Sequence, residues 1–408
     1  MKKIYLIGNP LGHSWSPEIH SRLASYTYEL KQLSRDELED FIVSGEYDGL
    51  NVTIPYKRDV IPYLDEISPE AARIGSVNTV VRRNGKLYGT NTDYLGFSYM
   101  LEDSGIAVKG KKVLVLGSGG SSATVRTVLA DMGALEVVVI SRSGENNYAN
   151  LSRHYDADVI VNTTPVGMYP MCGDAPLDLS AFPSLSGVVD LIYNPDKTAL
   201  ILDAEERNIP YVSGLTLLVA QAKRSAEIFT GETMADEVIA STIRSLKKEK
   251  KNIILVGMPG CGKTSVGTAL ASLTGRKFVD TDELITEKYG RTPEEIILSD
   301  GEERFRDFES EVLGSVTKES SLVISCGGGT VIRKKNRRMM RQNGVVVLIK
   351  RDIGSLNDEH RPLSLGRGND VLWAERKCYY ESAADIEVDN SSSPDKTASL
   401  IAERLESL

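Results

Sequence analysis

Several stretches of this 408-residue chain carry side chains whose types and spacing could do chemistry. Gly257-Met258-Pro259-Gly260-Cys261-Gly262-Lys263-Thr264 matches G-x4-G-K-[ST] in full. Glycines at Gly257, Gly260 and Gly262 let backbone N–H groups turn inward around phosphate, and the following helix adds its N-terminal partial charge. In such a loop Lys263 holds the β/γ-phosphates and Thr264 a Mg2+ ion, Ser265 begins the helix and Cys261 fills the turn. Downstream, Asp280 and Asp282 end a strand that would face this loop, placed to serve the metal and an acceptor hydroxyl. Next come Gly301-Glu302-Glu303-Arg304-Phe305-Arg306-Asp307-Phe308-Glu309, the triple glycine Gly327-Gly328-Gly329, Arg361-Pro362-Leu363 and Arg376-Lys377-Cys378-Tyr379.

The first half has a different chemical character. Gly117-Ser118-Gly119-Gly120-Ser121-Ser122 fits G-x-G-x-x-G with Ser122 in the third glycine's place, which suits a dinucleotide pyrophosphate. The next apolar run ends in Ser141-Arg142-Ser143. Arg142 and Ser141 suit the 2′-phosphate of NADP, where an acidic residue would read the free hydroxyl of NAD. Near the N-terminus, Ser14, Ser16, Asn51, Thr53, Lys57, Asn78 and Asp93 gather hydroxyls, amides, one lysine and one aspartate. That set suits a polyhydroxylated acid. Two histidines, His13 and His20, lie in the same block; they offer alternative acids, but their motif positions suggest support of the fold or the site instead.

These residues need elements to hold them. Apolar, β-branched runs predict strands at Ile4–Ile7, Gly49–Thr53, Val113–Leu116, Val137–Ile140, Val159–Asn162, Val188–Leu191, Ile253–Val256, Leu322–Ser325 and Val345–Ile349. They alternate with helix-length amphipathic segments, so α/β architecture with parallel sheets is expected throughout. The length allows two or three domains at roughly 150 residues each. Lysine-rich stretches before Val113 and Ile253 mark boundaries and read as solvated helix ends or linkers.

Composition narrows the class. Hydrophobic residues are 41 % and charged residues 26 %, as in globular domains, so general disorder is excluded. A net charge of -9 argues against nucleic acid or an anionic membrane as partner. Four scattered Cys form neither a disulfide framework nor a C-x-x-C site. No apolar run approaches the roughly 18 residues of a membrane span, and Gly8-Asn9-Pro10 interrupts the only leader-like stretch, so a cytoplasmic location is expected.

Residues 252–408, with these motifs in this order, resemble shikimate kinase. The resemblance implies that Asp282 faces the acceptor hydroxyl and Asp280 holds Mg2+ through a water. It also implies that Arg306, braced by Glu309, and Arg376 clamp the substrate carboxylate. Gly327, Gly328 and Gly329 would approach the ring, and Arg361 in the lid would meet the phosphoryl group. Residues 1–245 look like shikimate dehydrogenase, adding Asn162-Thr163-Thr164-Pro165, Asp190-x-x-Tyr193 and Gly214-x-x-x-x-Val219-Ala220-Gln221. Here the resemblance makes Lys57 and Asp93 the catalytic pair. Substrate contacts come from Ser14, Ser16, Asn51, Thr53, Asn78, Tyr193 and Gln221. Cofactor contacts come from Gly117, Gly119, Gly120, Ser121, Ser122, Ser141, Arg142, Thr163 and Gly214.

The fold implied is a two-domain dehydrogenase fused to a P-loop kinase of nucleoside-monophosphate-kinase type. Its substrate domain takes residues 1–95 plus about 212–245, the Rossmann-like NADP domain 96–211, a linker 246–251 and the kinase domain 252–408. The implied activities are NADPH-dependent reduction of 3-dehydroshikimate and ATP-dependent, Mg2+-assisted phosphorylation of shikimate. Shikimate is thus the product of one half and the substrate of the other. An NAD-linked quinate/shikimate dehydrogenase, another small-molecule kinase, or a regulatory protein with degenerate sites remain as alternatives. Oligomeric state is not readable.

Overall fold

The computed structural model describes residues 1–12, 14–356 and 368–407. It divides into two compact units, Met1–Ser245 and Leu246–Leu408.

The first unit holds two sheets. Its N-terminal sheet uses β1 (Lys3–Gly8), β2 (Thr27–Gln32), β3 (Gly49–Val52), β4 (Glu66–Ile67), β5 (Thr79–Arg83) and β6 (Lys86–Thr90), in the order β2-β1-β3-β5-β6-β4. This sheet is mixed. β1 runs parallel to β2 and β3, but β5 is antiparallel to both β3 and β6. The physical reason is the tight turn at Asn84-Gly85, whose φ values of 51° and 80° are those a hairpin turn requires. Helices α1 (Ser16–Leu23), α2 (Leu38–Ser44) and α3 (Pro69–Ile74) belong to this lobe. Ile7, Leu38, Ile42, Leu50, Val60, Val77 and Val80 form part of its core.

Helix α4 (Thr92–Ser104) leads into the second sheet. That sheet contains β7 (Lys112–Leu116), β8 (Glu136–Ile140), β9 (Val159–Asn162), β10 (Gly187–Asp190) and β11 (Tyr211–Ser213), in the order β11-β10-β9-β7-β8. All its pairings are parallel. Such strands are covered on both faces, and Val113–Leu116, Val159–Val161 and Val188–Val189 are fully buried. Helices α5 (Gly120–Asp131) and α6 (Ala199–Glu206) accompany the sheet, and α7 (Leu215–Thr230) returns to pack on α4. A methyl group at Gly96 of α4 would stand 2.9 Å from Cβ of Gln221, so this glycine lets the two helices approach closely.

Helix α8 (Glu237–Lys250) crosses the boundary between units. Of the segment 246–251, expected as linker, residues 246–250 are the end of this helix, and Leu246 is buried.

The second unit has one parallel sheet in the order β13-β14-β12-β15-β16. Its strands are β12 (Asn252–Val256), β13 (Lys277–Asp280), β14 (Leu322–Ser325), β15 (Gly344–Lys350) and β16 (Ile386–Asp389). Helices α9 (Lys263–Thr274), α10 (Thr281–Tyr289), α11 (Pro293–Asp300), α12 (Glu302–Val316), α13 (Lys334–Asn343), α14 (Asn369–Ala383) and α15 (Pro394–Glu406) complete it. Buried clusters form around Ile254, Leu313, Ile324 and Leu348, around Leu255, Val266, Val323 and Val347, and around Ile285, Ile296 and Phe308. The central strand β12 runs straight into the phosphate loop, at the carboxyl edge where α/β sheets bind ligands.

Candidate active sites

In the first unit the turn after β3 carries Lys57, and the first turn of α4 carries Asp93. Lys57 Nζ donates to Asp93 Oδ2 at 2.6 Å, with both side chains partly buried. Around the pair lies a continuous polar floor. Thr92 Oγ1 and its backbone N–H donate to Asn78 Oδ1 at 3.1 and 2.7 Å. Thr92 also donates to Gln221 Oε1 at 3.4 Å, and Gln221 Nε2 donates to the Leu218 carbonyl.

Asn51 is buried within this floor. Its Nδ2 donates to Thr79 Oγ1 and Ser225 Oγ, both at 3.0 Å, and its Oδ1 accepts from Tyr28 at 2.9 Å. In this arrangement Asn51 braces neighbouring groups. Tyr28 and Ser225 carry no sequence signal, because hydroxyls on ordinary strands and helices have no diagnostic spacing.

Ser14 donates to Ser16 at 3.1 Å, where α1 begins. Thr53 packs against Gly8, where a methyl group would stand 2.5 Å from Thr53 Cγ2. Tyr193 reaches this lobe from the loop after β10, and its ring stands edge-on to Trp15 with centroids 5.2 Å apart. His20 is enclosed in the fold. Burial pushes its pKa down to about 3, its ring stacks on Tyr28 at 4.0 Å, and Nδ1 meets the Tyr26 hydroxyl at 2.5 Å. A neutral, enclosed imidazole is a poor proton donor near pH 7. His13 lies outside the described residues.

The second sheet brings the cofactor residues to one edge. Gly117 has φ 100°, and a Cβ there would stand 2.9 Å from Thr163 Oγ1, so the glycine turn after β7 lies against the turn after β9. Thr163 Oγ1 donates to the Leu116 carbonyl at 2.6 Å. A Cβ on Gly119 or Gly120 would meet nothing within 4 Å, which leaves the mouth of α5 open to a phosphate. Ser121 is exposed there, whereas Ser122 is buried behind it. Ser141 and the exposed Arg142 follow β8. Gly214 is a packing requirement, because a Cβ would stand 2.0 Å from the Leu191 carbonyl oxygen.

Asp190 organises this edge from below. It accepts from Asn162 Nδ2 at 3.0 Å and Thr198 Oγ1 at 2.7 Å. Burial raises its pKa to about 6. A separate groove of about 580 Å3 runs between α3 and α5 and is lined by Arg73, Arg126 and Asp131. None of the predicted site residues lines it.

In the second unit a cavity of about 530 Å3 gathers Lys263, Thr264, Asp280, Asp282, Arg306, Glu309, Gly327, Gly328, Gly329 and Arg376. Gly257, Gly260 and Gly262 have φ of 148°, 80° and 96°, a backbone that only glycine adopts readily. Lys263 is buried, and its Nζ donates to the carbonyls of Gly257 and Met258 at 3.0 Å each. Cys261 is buried beside it, and Ser265 is exposed at the start of α9. Thr264 Oγ1 donates to Asp280 Oδ2 at 3.1 Å, which places the two proposed metal-side groups together. Asp280 also caps α10 by accepting from the Asp282 N–H.

Asp282 has a buried Oδ1 with no hydrogen-bond partner. Burial, reinforced by the charges of Asp280 and Glu309, raises its pKa to about 7 despite Lys263 and Arg306. Arg306 donates from Nη1 to the fully buried Glu309 at 2.9 Å and from Nη2 to Glu302 at 3.0 Å. Thr330 donates to the other Glu309 oxygen at 2.6 Å.

Gly329 lies flat against the Arg306 guanidinium, where a Cβ would stand 2.1 Å from Nη2. Arg376 is buried, has no carboxylate partner among the described residues, and leaves its Nε unpaired. Of the Arg-x-x-Tyr motif, Tyr379 packs under Arg337, whereas the next residue, Tyr380, is buried and donates to the Gly328 carbonyl. Arg361 lies outside the described residues.

Comparison with known proteins finds a matching family for each unit. The family model for the shikimate dehydrogenase substrate binding domain matches residues 6–80, and that for shikimate kinase matches residues 259–406. The shikimate dehydrogenase (NADP(+)) of Clostridium beijerinckii is 37 % identical over 243 residues, covering 55 % of this chain and 90 % of that protein. Its counterpart in Caldicellulosiruptor bescii is 40 % identical over 253 residues, covering 54 % and 87 %.

The chain belongs to the shikimate dehydrogenase family and carries a shikimate kinase domain. It is a bifunctional enzyme of the shikimate pathway. Solved shikimate dehydrogenases share its first unit. A chorismate mutase/shikimate 5-dehydrogenase fusion protein from Clostridium acetobutylicum superposes with a TM-score of 0.58 at 36 % identity, covering 61 % of this chain and 98 % of that one. The Thermus thermophilus enzyme, solved with NADP(H) and shikimate, gives 0.55 at 31 % identity, covering 60 % and 99 %. No helix among the described residues is long and apolar enough to cross a membrane.

Proposed function

We propose that the first unit reduces 3-dehydroshikimate to shikimate with NADPH and that the second phosphorylates the 3-hydroxyl of shikimate with Mg-ATP. Bound NADPH would supply a hydride to the ring ketone. The observation that carries the first reading is the 2.6 Å contact between Lys57 Nζ and Asp93. Hydride delivery leaves negative charge on the ketone oxygen, and the Lys57 ammonium stabilises it and gives up a proton. Asp93 fixes the ammonium by a charge-assisted hydrogen bond. Ser14, Ser16, Thr53, Asn78, Tyr193 and Gln221 orient the hydroxyls and carboxylate, with Asn51 holding the floor beneath them. Gly117, Gly119, Gly120 and Ser121 receive the pyrophosphate, and Arg142 with Ser141 receives the 2′-phosphate.

For the kinase, the carrying observation is one cavity that joins the phosphate loop to Asp282 and two buried arginines. Arg306 and Arg376 grip the substrate carboxylate, and the glycine loop lies under the ring. Asp282 accepts the proton of the acceptor hydroxyl. Lys263 leaves the loop carbonyls for the phosphates. Thr264 and Asp280 suit a hard cation such as Mg2+ by their oxygen donors, and that ion would neutralise phosphate charge. Both substrates are small, water-soluble acids, in keeping with a cytoplasmic enzyme.

Two coupled assays test the assignment: NADPH oxidation with 3-dehydroshikimate and ADP release with shikimate. Lys57→Ala is expected to abolish only the first, and Lys263→Ala only the second. Loss of both activities in either variant, or of neither, overturns it.

A further inference from the structure

Asp131 ends helix α5, away from the two sites, and joins three elements of the first unit. The Tyr94 hydroxyl of α4 donates to its Oδ2 at 2.7 Å. Arg73 of α3 donates from Nη1 to its Oδ1 at 3.2 Å and from Nη2 to Oδ2, a two-pronged ion pair. These bonds, that of Arg73 foremost, hold the carboxyl below its ordinary range, so it stays an anion that accepts from both. The pair borders the groove of about 580 Å3 between α3 and α5, lined also by Ile74, Ala123, Arg126 and Thr127. A groove is space that side chains do not fill, so there the ion pair rather than packing reaches from α3 to α5.

The helix ends show what this contact connects. Helix α5 starts at Gly120, in the glycine turn on the cofactor side, and runs 12 residues to Asp131, a stiff rod about 18 Å long. Helix α4 starts at Thr92 and carries Asp93 and Tyr94 in its first turn. Three consecutive residues therefore have three different partners. Thr92 is tied to Asn78 of the substrate lobe, Asp93 to Lys57, and Tyr94 to Asp131 of the cofactor lobe. The Tyr94 ring also packs on the cofactor lobe's core, which includes Phe97, Val113 and Val125.

We propose that Asp131 is a positioning residue for the reduction. By tying α3 and the first turn of α4 to α5, it fixes the Lys57–Asp93 pair relative to the turn that receives the cofactor. The inference rests on Lys57 and Asp93 being the catalytic pair. It assigns Asp131 to the hydride step rather than to binding, because Asp131, Tyr94 and Arg73 stand outside the contacts assigned to either ligand.

The test is single-turnover NADPH oxidation by the full chain, with enzyme in excess over NADPH and 3-dehydroshikimate saturating. An inactive fraction of enzyme leaves that rate constant unchanged, so loss of folded protein cannot imitate a misplaced pair. Lys57→Ala is measured first, and a parental rate there would overturn the catalytic-pair reading and this inference with it. Tyr94→Phe keeps the ring and removes one bond. It is expected to slow the hydride step about fivefold, the size of one partly exposed charged contact, and Asp131→Asn about five- to tenfold. KM for 3-dehydroshikimate and for NADPH should stay within about twofold, and ADP release with shikimate should be parental. The double variant should be at most about twofold slower than Asp131→Asn, since both changes break one contact. In the ligand-free chain, amide hydrogen exchange over residues 92–98 should quicken about fivefold in either variant.

With Lys57→Ala inactive, parental rate constants in both variants overturn the inference. So do losses that multiply in full in the double variant, or unchanged exchange over residues 92–98. Raised KM values with a parental rate constant assign Asp131 to binding or stability and also overturn it. Should either variant not fold, Arg73→Gln, at a half-exposed side chain, gives the second reading. A hydride step slowed about two- to threefold supports the inference, and a parental one overturns it.

Discussion

Replacing Gly329 by alanine would put a methyl group into the carboxylate clamp of the kinase unit. The ideal Cβ stands 2.1 Å from Arg306 Nη2, 2.3 Å from Cζ and 2.3 Å from Nη1. Ordinary contacts between such atoms are about 3.5 Å, so the guanidinium and the loop must separate by more than roughly 1 Å. The guanidinium is not free to withdraw. Its Nη1 is held by Glu309 at 2.9 Å, and Glu309 is fully buried and tied to Thr330. The glycine loop is held from the other side by Tyr380 at Gly328 and by Thr281 at the Gly327 N–H. Whichever side yields, at least one charge-assisted hydrogen bond to the substrate carboxylate is lost, about 1.5–3 kcal/mol. KM for shikimate should therefore rise roughly 10- to 100-fold, while dehydrogenase rates in the same preparation stay unchanged. ADP release with shikimate titrated at saturating ATP measures this. Gly119→Ala is the steric contrast, because its Cβ meets nothing within 4 Å and the fold should be unaffected. A parental KM for shikimate in Gly329→Ala would refute the reasoning, since Arg306 would then not be confined as described.

Three further outcomes follow from the same geometry. Asp282 has its pKa raised to about 7, so kinase kcat/KM for shikimate should climb as pH rises through about 7 and then level off; Asp282→Asn should lose activity and flatten the profile. The sign for stability is opposite: a carboxyl whose folded pKa lies above its unfolded value destabilises the fold once ionised. Chemical denaturation should therefore show Asp282→Asn gaining on the parent as pH rises from about 4, where the unfolded carboxyl ionises, to about 7, and a parental pH dependence would count against the burial argument. Arg142→Gln should raise KM for NADPH by roughly tenfold while leaving that for NADH nearly unchanged; equal effects on both would remove Arg142 from the 2′-phosphate. Ser225→Ala should cost about 1–3 kcal/mol in melting experiments and raise KM for 3-dehydroshikimate, because Asn51, Thr79 and Thr92 all converge on that buried hydroxyl; unaltered stability would show the floor to be redundant.

Much of the architecture was legible because its causes are local. The runs Val113–Leu116 and Ile253–Val256 are apolar enough to be strands only where both faces are covered, and the glycines after them have few uses besides a phosphate turn. Strand β2 was missed because it is polar and mostly exposed, so neither alternation nor an apolar run marks it. The β5–β6 hairpin has a readable signal in Asn84-Gly85, but its short strands carry no long apolar run.

Sequence by itself determined which side chains were available and which turns had to be glycine. Lys263 announces itself by type and spacing, because those follow from the chemistry of phosphate, and Asp282, Arg306 and Arg376 stand out through the motifs that resemble shikimate kinase. Tertiary structure alone decided how they are tuned. It gave Arg306 two carboxylates and left Arg376 without one among the described residues, although both are buried arginines. It turned Asn51 into the floor, made His20 a neutral core residue, and put Tyr380 rather than Tyr379 at the glycine loop. The physical reason is that burial, charge pairing and hydrogen-bond direction depend on neighbours far apart in the chain. Asn51 and Ser225 meet across 174 positions, and no local pattern encodes that contact.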